Sequence, residues 1–100
     1  MNLRFIAADG TVAEAQGHAG ERLLDAAQRV GMPLEGTCDG DMACATCHVI
    51  VASDDFARLP AASDAEEDLL DLAPDATRTS RLACQIMLDQ SLDGLTLRLP

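Results

Sequence analysis

At 100 residues and 48% hydrophobic composition, the chain is sized for one small domain with a single core, which excludes a disordered polypeptide. Its net charge of -10 repels phosphate backbones, and Phe5 and Phe56 as the sole aromatics leave no platform for stacking bases, so nucleic acid is excluded as a partner. No apolar stretch is long enough to cross a bilayer, and a basic protein is the natural electrostatic complement.

Met1-Asn2 leads straight into strand-like sequence without a basic or apolar leader pattern, so a cytoplasmic location is expected. From Asn2 to Ala7 the residues alternate in part, Leu3 and Phe5 against Arg4 and Ile6, as in a strand. Asp9-Gly10 is a turn signal, and Thr11 to Gln16 can return as the second strand of a hairpin. Glu21 to Val30 has helical spacing, with Leu23, Leu24, Ala27 and Val30 inward and Gly31 as the stop. Met32 to Cys47 carries Pro33, Gly36 and Gly40 without a clear period, and a loop of that length in so small a domain points to function.

His48 to Ala52 and Leu82 to Met87 follow as strand candidates, and Leu95, Leu97 and Leu99 alternate with Thr96 and Arg98. A hairpin, a crossing helix and later strands suggest one domain, residues 1–100, of the α+β class. Its expected architecture is a β-grasp (ubiquitin-like) mixed sheet with a helix across it and a long loop.

The chemistry concentrates in four cysteines. Cys38, Cys44 and Cys47 crowd into the long loop and Cys84 lies far downstream. In a reducing compartment such a set points to metal rather than disulfides. Structural zinc commonly uses two Cys-x-x-Cys knuckles, and this chain has one, Cys44 and Cys47. An iron–sulfur cluster suits three ligands in one loop plus one remote, with small residues that let backbone amides approach the sulfurs. Spacing therefore favours a cluster and leaves zinc open. The interval between the first two cysteines is five residues, one more than in plant-type ferredoxins.

The run Cys38-x5-Cys44-x2-Cys47-His48, with Ser80-Arg81-Leu82-x-Cys84-Gln85, Glu66 to Leu72 and the closing Leu99-Pro100, resembles the adrenodoxin/putidaredoxin class of bacterial [2Fe-2S] ferredoxins. The resemblance spans nearly the whole chain. It implies a [2Fe-2S] cluster held by Cys38, Cys44, Cys47 and Cys84, and a one-electron carrier rather than an enzyme. Electrons would pass from a flavin-dependent NAD(P)H ferredoxin reductase to a cytochrome P450, with monomer as the expected state. Two alternatives stand beside it: electron supply to iron–sulfur cluster assembly, and a zinc-stabilised acidic binding module.

Between Asp54 and Asp75 lie eight acidic residues and one cation, Arg58. Ser63-Asp64-Ala65-Glu66 is a capping box opening a helix that Pro74 should end. Glu67, Asp68, Asp71 and Asp64 share one arc; Ala65, Leu69, Leu72 and Leu70 fill the opposite one, with Glu66 on the apolar side. The helix dipole favours Asp64, Glu66 and Glu67 but disfavours Asp71 in the last turn, so the acids point beyond a solvated face to partner docking by segment 54–75. The resemblance places Asp64, Asp68 and Asp71 on the docking helix of that class, with Ala65 where an acid is often found. It also implies a polar link of His48, Glu66 and Arg81 between cluster loop and acidic helix.

Overall fold

The computed structural model describes residues 1–32, 48–73 and 76–99. Five strands form one mixed sheet in the order β2-β1-β5-β3-β4. Strand β1 (Asn2–Ile6) pairs antiparallel with β2 (Val12–Gln16) across the Asp9-Gly10 turn, where Gly10 takes the left-handed φ of 90° that a side chain would resist. Strand β5 (Leu95–Arg98) lies parallel to β1, with Leu3 opposite Leu95 and Phe5 opposite Leu97. Strand β3 (His48–Val51) pairs antiparallel with β5 on one side and with β4 (Ser80–Leu82) on the other.

The alternation read from β1 and β5 is the packing pattern: Leu3, Phe5, Leu95 and Leu97 are buried while Arg4 and Arg98 are exposed. These residues meet the buried side chains of α1 (Leu23–Arg29), namely Leu23, Leu24, Ala26 and Ala27, in one core cluster. The helix is shorter than its apolar pattern. Arg22 is still extended, because residues 20–23 exchange backbone hydrogen bonds with residues 86–88. At the other end Gly31, at φ 82°, donates to Gln28 O, and Met32 donates to Ala27 O at 3.0 Å. That pair of bonds is a Schellman stop, the role expected of the glycine. The Arg29 guanidinium bonds Glu21 and holds its carboxyl below the usual carboxylate range, fastening α1 to the segment before it.

The expected strand from Leu82 to Met87 is corrected by the structure. Strand β4 stops at Leu82, a 3-10 turn takes Ala83 to Gln85, and Met87 forms a single bridge with Arg22. Burial explains the misreading: Leu82, Ala83, Cys84 and Ile86 are all buried, so the apolar run has a strand's composition while its backbone turns away from the sheet. The chain thereby crosses from the β4 edge to the start of α1, with Cys84 on the turn.

Two helices lie between β3 and β4. Helix α2 (Ser53–Phe56) is a single turn whose Asp55 accepts from Thr96 N at 3.0 Å and pairs with Arg58. Arg58 also donates to Ser91 O at 3.1 Å, pinning this segment to the loop before β5. Helix α3 (Asp64–Leu72) packs against β4. The mixed sheet with a crossing helix is the β-grasp arrangement expected from the sequence.

Candidate metal centre and acidic face

Cys84 is buried at 5% exposure on the 3-10 turn, where its backbone is set by β4 on one side and by the pairing with α1's start on the other. Gln85 Nε2 donates to its Sγ at 3.4 Å, a contact that offsets negative charge on the sulfur. Cys38, Cys44 and Cys47 lie outside the described residues, as does Met42. Immediately after Cys47, His48 opens β3 and sits opposite Leu82, two residues before Cys84. The β3–β4 pair thus sets His48, which follows Cys47 in the sequence, opposite the strand end that leads into Cys84.

The polar residues around this strand pair form two linked contacts. Glu66 of α3 and Arg81 of β4 make a bidentate ion pair, Nε to Oε2 at 2.7 Å and Nη2 to Oε1 at 3.1 Å, with side chains only 2% and 5% exposed. Arg81 Nη1 donates to Pro60 O at 2.7 Å, and the Leu82 N–H donates to Glu66 Oε2 at 2.9 Å. Both charges are therefore saturated with partners, as burial requires. His48 is placed one step away: its Nε2 lies 2.7 Å from Ser80 Oγ, and it reaches the pair through the backbone of Leu82. Ser80 was not singled out in the sequence, although it stands in the Ser80-Arg81-Leu82 run that carried the resemblance. The structural pairing of Asp55 with Arg58 was likewise hidden among the eight acids of that stretch.

The acidic segment divides by geometry. Ser63 Oγ accepts from Glu66 N at 3.2 Å, one half of the capping box. The Glu66 carboxylate does not return to Ser63; it is drawn inward by Arg81. The inward side of α3 consequently runs through buried Glu66 and half-buried Leu69 and Leu70 to the buried cap residue Ala73, with spacing i, i+3, i+4 and i+7. Ala65 and Leu72, expected on the apolar arc, are exposed, Leu72 at 82%. Each sits away from the line that the Glu66–Arg81 contact fixes, and the chain turns extended at Ala73. Pro74 and Asp75 lie outside the described residues. Asp64, Glu67, Asp68 and Asp71 are exposed, and among the described residues no cation is within ion-pair distance of them.

A buried cysteine on the turn after β4, three more cysteines in the sequence just before β3, and a β-grasp sheet fit one class: small iron–sulfur electron carriers. The sequence matches the 2Fe-2S iron-sulfur cluster binding domain over residues 6–89, and the chain belongs to that family, as a ferredoxin of the adrenodoxin/putidaredoxin type. It is 44% identical over all 100 residues to a 2Fe-2S ferredoxin of Rickettsia montanensis, covering 89% of that protein. It is 43% identical to the mitochondrial adrenodoxin-like protein 1 of Drosophila melanogaster, of whose length it spans 58%. Putidaredoxin, solved in covalent complex with putidaredoxin reductase, superposes with a TM-score of 0.94 at 33% identity, covering 100% of this chain and 98% of that one. The chain is an electron carrier with a [2Fe-2S] cofactor rather than an enzyme, and the zinc alternative gives way to the cluster.

Substituting Glu66→Gln keeps the shape of the contact and leaves the Arg81 charge buried without its counter-ion. Breaking a buried pair in this way costs about 3–5 kcal/mol. Chemical denaturation of the cluster-loaded protein should show that loss, whereas Asp64→Asn, on the exposed face, should change stability by less than about 0.5 kcal/mol.

Proposed function

We propose that the protein carries single electrons from a flavin-dependent NAD(P)H ferredoxin reductase to a cytochrome P450, in the cytoplasm and as a monomer. The observation that carries this reading is the exposed carboxylate face of α3, bonded through Glu66 to the strand that leads into Cys84. In putidaredoxin, the similar carrier, a complex with a reductase exists.

The [2Fe-2S] cluster, when bound, accepts and releases one electron. Cys38, Cys44, Cys47 and Cys84 are its ligands in this reading. Three come from one stretch of sequence and the fourth, Cys84, from a buried turn, where its sulfur is shielded from solvent. His48, Glu66 and Arg81 form the structural link that keeps β3, β4 and α3 in fixed relation. Segment 54–75 is the docking segment, with Asp64, Glu67, Asp68 and Asp71 as its partner-facing residues. Their unneutralised charge steers a basic partner and is screened beyond about 8 Å at physiological salt, as a transient shuttle complex requires.

Cys84→Ser tests the ligand assignment: the purified protein should lose most of its visible sulfur-to-iron absorption and its iron, and full retention of both would remove Cys84 from the set. Docking is tested by Asp68→Lys together with Asp71→Lys. The KM of the reductase for this carrier should rise about tenfold and its dependence on ionic strength should flatten. Unchanged turnover and salt dependence would refute the docking role. If reduction by the reductase is normal and no oxygenase accepts the electron, cluster assembly becomes the acceptor.

A further inference from the structure

All seven basic side chains of this acidic chain are arginines, and the fold uses them unequally. Arg4, Arg22, Arg29, Arg58 and Arg81 each lie within ion-pair distance of a carboxylate: Glu14, Asp25, Glu21, Asp55 and Glu66 in turn. Arg78 and Arg98 have no such carboxylate among the described residues, although the chain carries 17 acidic side chains. Both are exposed, and both line the same open groove of about 540 Å³.

Sheet register explains the convergence. Arg98 of β5 lies opposite Ile6 of β1 and Ile50 of β3, on the face that alternates with buried Leu95 and Leu97. Its charge therefore stands over an aliphatic floor. Thr77 and Arg78, in the turn before β4, wall this groove and also line a second hollow of about 380 Å³. The second hollow is bounded by Glu67 and Asp71 of α3, with Leu70 and Phe56 beneath. Across one ridge, the surface changes from acid over an apolar base to arginine over an apolar base.

We propose that the Arg78–Arg98 groove is the second half of the surface that docks the reductase, taking a segment of it in which carboxylates flank an apolar side chain. This rests on the docking reading above and adds its orientation. The partner's cations meet Glu67 and Asp71 on one side of the ridge, and its carboxylates meet Arg78 and Arg98 on the other. Turning the partner around would set like charges against each other on both sides, which is how interfaces reject wrong registers. An all-acidic face would attract a basic partner without fixing its rotation; adjacent patches of opposite sign fix it.

The test has a sign that net charge alone cannot mimic. Arg78→Glu with Arg98→Glu makes the carrier more acidic, so general attraction to a basic partner would strengthen and the reductase KM would fall. The groove role requires KM to rise, by roughly three- to tenfold, with kcat at saturating carrier unchanged and with Arg78→Lys/Arg98→Lys near wild type. The assay is NAD(P)H-driven reduction of the cluster-loaded carrier by the flavin-dependent reductase of the same organism. Melting temperature and visible absorption check integrity, and Arg78→Gln/Arg98→Gln carries the same expected rise should the reversal variant fail to fold. A KM equal to or below wild type overturns the groove. If Asp68→Lys/Asp71→Lys still raises KM in that case, docking on α3 stands without it; if neither variant moves KM, both readings fall.

Discussion

The buried contact between Glu66 and Arg81 organises this molecule beyond its two residues. An uncompensated charge in a protein interior is costly, and a buried pair is tolerated when geometry and extra hydrogen bonds saturate both groups. Here the carboxylate takes two guanidinium bonds and the Leu82 amide, and the guanidinium spends its remaining reach on Pro60 O. Those bonds join three stretches of chain: the approach to α3, α3 itself and β4. The rotation of α3 about its axis follows, because Glu66 must point inward. Asp64, Glu67, Asp68 and Asp71 are outside for the same reason. One interior ion pair thus sets the orientation of the surface charge.

Charge in the acidic stretch has two uses that composition cannot separate. Asp55 and Glu66 are spent on the fold, closing contacts with Arg58, Thr96 and Arg81. Asp64, Glu67, Asp68 and Asp71 face solvent, including Asp71 in the last turn, where the helix dipole works against an anion. The carrier's remaining balance is equally local: five arginines are matched within the chain and two are held over an apolar groove next to the acidic face. A net charge of -10 conceals that pattern.

How much of this was legible depends on what kind of signal each residue gives. Strand alternation at Leu3, Phe5, Leu95 and Leu97 is a period-two pattern with one face buried, and it reads directly. The Asp9-Gly10 turn and the Gly31 stop read as well, since each needs a backbone conformation that few residues supply. The Leu82–Met87 run did not, because burial on a 3-10 turn and burial in a strand leave the same apolar signature. Leu72 failed for a related reason: an apolar residue at the end of a helix looks inward on a wheel, while the inward line is fixed by a distant arginine. His48 and Ser80 meet through strand register, which sequence spacing does not reveal. The cysteine spacing pointed to the cofactor family, and three of those four cysteines lie outside the described residues.

The central claim is that α3 and β4 behave as one unit because Glu66 bonds Arg81 and the Leu82 amide. Hydrogen exchange of the cluster-loaded protein, followed by mass spectrometry, measures this directly. Peptides covering 64–72 and 80–82 should open together, with closely matched protection that falls in step as denaturant is added. Exchange of 64–72 at loop-like rates while 80–82 stays protected would contradict the account, since α3 would then be opening independently of the strand that leads to Cys84.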